Sequence, residues 1–161
     1  MAQPVYQFVS ALRCAKRRHA RPKRCKELGP WTDELVSPVD IRFTQRNCAG
    51  WFGLGSNLGD ELQALVEGTK SEKDHQMIRI VWDGNFWYSL DNRRLALWRL
   101  YALFHEEDFR LQVRAFSGSP QRGRELLCAS GKMRTRNQGA CILVNDAEVV
   151  VGRTRESCVV L

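Results

Sequence analysis

At 161 residues, with 43% apolar and 27% charged residues, the chain has ordinary globular composition and the size of one domain with a core; a second independent domain would be cramped. Its net charge of +7 is local, because residues 1–28 hold eight basic residues against Glu27 alone and the rest of the chain carries 17 of each sign. No apolar run approaches the roughly 18 residues of a membrane-spanning helix and no secretory apolar region follows the start, so a soluble, intracellular chain is expected.

Within the basic segment, Val5, Phe8, Val9 and Leu12 fall at i, i+3, i+4 and i+7, and cations follow from Arg13 to Lys26, the pattern of a short amphipathic basic helix. Residues 1–35 therefore read as a basic extension. Three readings stay open: a nuclear or organellar targeting signal, an arm that grips nucleic acid through residues 13–26, or a solvated extension with no reader, which would leave the chain cytoplasmic. Six cysteines lie far apart, none in C-x-x-C, and are expected as free thiols in a reducing compartment. His19, His75 and His105 fit no zinc spacing.

From residue 36 to 116 the pattern is that of a core. Val39, Ile41 and Phe43 alternate with Asp40, Arg42 and Thr44 as in a half-buried strand. A glycine-rich stretch, GWFGLGSNLGD, follows; it lacks the P-loop lysine and the spacing of a dinucleotide fingerprint, and reads as a flexible connection. Asp60 opens a short helix, DELQALVEG, that stops at Gly68. MIRIVW (77–82) and FWYSL (86–90) form a hairpin across Asp83-Gly84-Asn85. Leu95 to Phe104 is a helix apolar on nearly every side, which places it in the core. RLQVRAF (110–116) is another strand.

Residues 117–161 read as a loop, SGSPQRGR, followed by a C-terminal hairpin of ACILV (140–144) and EVVV (148–151) around Asn145-Asp146. The class is α+β: a small mixed sheet with a buried central helix.

Four features invite chemistry. Between the hairpin and the buried helix stands a charged knot, Asp91-Asn92-Arg93-Arg94. Asp91 or Asn92 can cap the helix, whereas two arginines face the positive end of its dipole, a conflict that a bound anion would resolve. His105-Glu106-Glu107-Asp108 gathers carboxylates that either hold a divalent cation or form a solvated loop. The last residues, Cys158-Val159-Val160-Leu161, match C-a-a-X, so either Cys158 is prenylated as a membrane anchor or the segment is an apolar strand. Trp87, near the knot, is a candidate for stacking on a base.

The order of these elements, with the charged turn DNRR just before a buried helix, resembles the ParB/sulfiredoxin-like fold over residues 36–116. Relatives carry G-E-R-R or G-C-H-R at this turn and use it to handle nucleotide phosphates. The resemblance implies a phosphate or nucleotide site at Asp91, Asn92, Arg93 and Arg94, and a nucleotide of the ATP or CTP class with Mg²⁺ as the ligand. Asp91 replaces glycine, and Asn92 replaces the cysteine or glutamate, so sulfinic-acid reduction is not carried over: an amide is neither a thiol nucleophile nor a general base near neutral pH. Asp91 is then the candidate catalytic group if the domain performs phosphoryl transfer or nuclease chemistry. Two other readings stand beside this one: a nucleic-acid-binding module using the basic arm, and a scaffold in which DNRR only caps the helix.

Overall fold

The computed structural model describes residues 30–105, 108–131, 133–135, 137–145, 149–152 and 157–160. The basic helix and cation cluster expected in residues 5–26 lie outside the described residues, as do Glu106, Glu107 and Asp146.

The chain is α+β, and its described residues form two small mixed sheets and three α-helices. The first sheet has five strands: β1 (Trp31–Val36), β2 (Ile41–Phe43), β4 (Arg79–Trp82), β5 (Trp87–Ser89) and β6 (Leu111–Phe116), in the order β1-β6-β4-β5-β2. β4 and β5 pair antiparallel as a hairpin, with Val81 opposite Tyr88, while β2 runs parallel to β5 and β4 parallel to β6. The hairpin turn is fixed by Asp83, whose Oδ1 accepts the N–H groups of Asn85 (2.7 Å) and Phe86 (2.8 Å), and by Gly84, whose φ of +109° disfavours a side chain. The second sheet has β3 (Asn47–Cys48), β7 (Ile142–Val144), β8 (Val149–Val151) and β9 (Val159–Val160) in the order β3-β7-β8-β9. The expected hairpin around Asn145 is present as β7 and β8, and Asn145 takes a left-handed φ of 54° there.

Helix α1 (Leu58–Val66) starts two residues before Asp60, because Asn57 is the cap: its Oδ1 accepts the Asp60 N–H at 2.9 Å. It buries Leu58, Leu62 and Leu65. Helix α2 (Asn92–Ala102) is the centre of the molecule, and seven of its eleven residues are buried, which is what an all-round apolar helix demands. Its leucines and Trp98 share one core with Ile41 and Ile80 of the first sheet, Ile142, Val144 and Val151 of the second, and α1. Residues beyond 116 are thus part of the same core as the strands before them.

The sequence reading expected one small mixed sheet and no strand at 47–48, so the second sheet with β3 departs from it, as do two further elements. The stretch read as a loop, SGSPQRGR, is the start of helix α3 (Pro120–Ala129). Ser119 caps it, Pro120 supplies a fixed φ at its first position, and Leu126 and Leu127 pack on Val81, Tyr88, Leu90 and Phe116, covering the other face of the first sheet. Gly123 permits the contact: a Cβ there would lie 2.2 Å from the Trp82 carbonyl oxygen. Secondly, β1 begins at Trp31, inside the segment read as extension. It adds antiparallel to β6, with Trp31 opposite Phe116 and Val36 opposite Leu111, and its four central residues are exposed, so no alternating pattern marks it.

Helix α2 carries a charge into this core. Arg99 of α2 is 1% exposed; its guanidinium lies over the Phe43 ring at 4.3 Å and donates to the carbonyls of Pro38 (3.2 Å), Ala140 (2.7 Å) and Ile41.

Candidate functional site

A cavity of about 320 Å³ opens at the N-terminus of α2, lined by Asp91, Asn92, Arg93 and Arg94 together with Leu90, Gln45, Cys48, Phe52 and Gly53. The knot singled out in the sequence thus forms one wall. Its four side chains divide into two groups.

Asp91 and Asn92 face inward and hold the wall in place. Asp91 occupies the cap position, where its carbonyl accepts the Leu95 N–H at 3.0 Å, but its side chain makes no cap hydrogen bond. The carboxylate turns instead to β4: Oδ2 accepts the Arg79 N–H (2.9 Å) and Nε (3.0 Å), Oδ1 accepts Arg79 Nη2 (2.9 Å), and Arg94 Nη1 stands 3.3 Å from Oδ1. Burial pushes this carboxyl up, but the Arg79 hydrogen bonds and charge outweigh it, with Arg94 adding to them, and hold the group below its ordinary value. Asp91 is therefore an ionised hub rather than a helix cap.

Asn92 is 4% exposed. Its Oδ1 accepts the Thr44 N–H (2.9 Å), and its Nδ2 donates to Thr44 Oγ1 (2.8 Å) and Gln45 Oε1 (3.1 Å). Thr44 in turn donates to the Ser89 carbonyl at 2.8 Å. The amide pins the helix N-terminus to the end of β2, and every polar atom it has is used there.

Arg93 and Arg94 complete the wall. Arg94 Nη2 donates to Gln76 Oε1 at 2.8 Å. Arg93 makes no hydrogen bond or ion pair to a described residue; its Nε is shielded from water with no acceptor, and its guanidinium carbon stands 5.5 Å from the Phe52 ring centre. Burial pulls Arg93 below its ordinary value, and Arg94 adds to that pull. Beside it, burial pushes the Cys48 thiol up to about 12, against the pull of the Arg93 charge, so the thiol is neutral. The Asp91 side chain does not cap α2, and among the described residues no side chain accepts from the N–H groups of its first turn.

The electrostatic balance follows from these contacts. One carboxylate, Asp91, stands between the guanidinium groups of Arg79 and Arg94, and Arg93 lines the same cavity, at the positive end of a buried helix. The arrangement favours an anion in the cavity.

The aromatic partner differs from the sequence expectation. Trp87 does not line the cavity; strand alternation turns it toward the core, where it lies 5.2 Å from Trp82. The aromatic wall is Phe52, from the glycine-rich stretch read as mere connection. The signal was there in Trp51-Phe52-Gly53, two aromatic rings in an otherwise turn-like segment.

The other candidates fall elsewhere. Asp108 is exposed and bonds to Arg110 at 3.0 Å, while Glu106 and Glu107 lie outside the described residues. Among the described residues no group of three or more His, Cys, Asp or Glu side chains is placed to hold a metal ion. Cys158 is 7% exposed within the core, and its Sγ accepts the Gly152 N–H at 3.2 Å. Cys48, Cys128, Cys141 and Cys158 are free thiols. No helix among the described residues is long and apolar enough to cross a membrane. No family model, curated protein or solved structure matches this chain.

Proposed function

We propose that this is a ParB/sulfiredoxin-like domain that binds a phosphate ester, a nucleotide foremost, in the cavity at the N-terminus of α2. The observation that carries the reading is Arg93: a cation with a dry, unbonded Nε on the wall of a cavity, beside a second arginine and an uncapped helix end. Two guanidinium forks and free backbone N–H groups give several charge-assisted hydrogen bonds to phosphate oxygens, each worth about 1.5–3 kcal/mol before desolvation of the anion. Micromolar affinity needs about 8 kcal/mol, so contact of a base or sugar with Phe52 belongs to the same reading. Asp91 and Asn92 have a positioning role in it, since their polar atoms are already engaged.

The test is a titration of the full chain with pyrophosphate, ADP, ATP and CTP, read by thermal shift and calorimetry. Arg93→Ala is expected to weaken binding at least about tenfold while leaving the unliganded melting temperature nearly unchanged, because it removes like-charge repulsion along with the contact. Absence of binding at millimolar ligand, with Arg93→Ala destabilising the free chain, would show that the arginines are structural and favour the scaffold reading.

A further inference from the structure

Resting on that phosphate-binding reading, we infer that the cavity takes its ligand as the free phosphate anion, without a divalent metal. Magnesium needs hard oxygen ligands in near-octahedral array. Among the described residues the only carboxylate on the cavity wall is Asp91, and both its oxygens receive guanidinium or backbone N–H groups. The amide oxygens are engaged too: Gln45 Oε1 takes Asn92 Nδ2 and Asn92 Oδ1 takes the Thr44 N–H. The Cys48 thiol is neutral and soft.

Among the described side chains lining the cavity, the polar groups left for a ligand are donors, namely the guanidinium groups of Arg93 and Arg94 and the amide nitrogen of Gln45. The residues do not fit a magnesium-bound nucleotide. Instead, the guanidinium groups supply the positive charge that a metal supplies in other phosphate sites. A cation already bound to the phosphates would cancel the charge these arginines receive and set like charges against each other.

The experiment is a calorimetric titration of the full chain with ADP, and separately with pyrophosphate, in EDTA and in magnesium that saturates the ligand. Binding is expected in EDTA and is expected to weaken about tenfold when the ligand is magnesium-loaded. Tighter binding with magnesium, or binding only with it, would overturn the inference while leaving the phosphate site standing. Failure to bind under either condition would overturn the site itself.

Gln45→Glu tests the wall directly. The substituted side chain can still accept from Asn92, and it places one carboxylate oxygen at the cavity. It is expected to weaken binding in EDTA and to reverse the magnesium effect. If its binding still weakens with magnesium as the parent's does, the donor-only wall is not what sets the metal response, and the inference fails.

Discussion

Asp91→Asn separates a positioning carboxylate from a catalytic one. The substitution keeps the shape and one acceptor oxygen but removes the charge. Asp91 is 10% exposed, and four contacts at 2.9–3.3 Å bind it to Arg79 and Arg94, whose side chains are 25% and 30% exposed. Breaking a fully buried ion pair costs about 3–5 kcal/mol; because both arginines keep a route to water, about 2–3 kcal/mol is expected here. Urea denaturation at neutral pH measures it.

A pH series adds a second readout for the same variant. The folded carboxyl lies below its ordinary value, so its contribution is present above that value and is lost as pH falls through the folded pKa; the acid limb of stability is expected to be shallower in Asp91→Asn. Phosphate binding by the variant is expected to hold or tighten, since the cavity gains net positive charge. Stability within about 0.5 kcal/mol of the parent, together with lost binding, would refute the reasoning and place Asp91 against the ligand.

Three further outcomes follow from the packing. Trp98→Ala is expected to cost about 3–5 kcal/mol in urea unfolding, because the ring is 1% exposed and meets His75, Tyr101 and Phe109. Gly123→Ala is expected to destabilise by about 1–3 kcal/mol in the same assay, although alanine is the better helix former, because its Cβ must push α3 off the Trp82 carbonyl. His75, packed edge-on to Trp98 with its Nε2 buried 3.6 Å from Glu61, is held below its ordinary value, first by burial and also by Lys70 and Arg94, against Glu61 and Asp74. The unfolded chain therefore takes up this proton first, and melting temperature is expected to fall as pH drops below about 6.5 in the parent and less steeply in His75→Gln.

Much of the fold was legible because the core repeats its signals. The β4–β5 hairpin carries a turn dipeptide between apolar runs, and α2 is apolar from Leu95 onward except for Arg99, so local pattern and final burial agree. Helix α3 was not legible: proline, glycine and two arginines fill its first turns, and it is held by a serine cap and a backbone contact that only the folded sheet supplies. β1 was hidden for the opposite reason, since an edge strand with exposed central residues needs no apolar alternation.

In the site, the arginine pair stood out because its charge conflicts with the helix dipole, a rule the sequence displays openly. Phe52 and the Arg79 partner of Asp91 come from segments 39 and 12 residues away from Asp91, and only the tertiary structure shows that they meet there.

Arg99 bears on how the molecule comes apart. Its guanidinium collects carbonyls from the turn before β2, from β2 itself and from the segment leading into β7, so a helix, the first sheet and the approach to the second share one desolvated cation. Peeling the four-stranded sheet away would take the Ala140 carbonyl with it and leave a guanidinium N–H in a dry core, a penalty that partial unfolding must bear without recovering chain entropy from the rest. Hydrogen exchange at Ile142 and Leu97 should then report the same opening free energy, a single foldon spanning both sheets rather than a stable core with a removable flap.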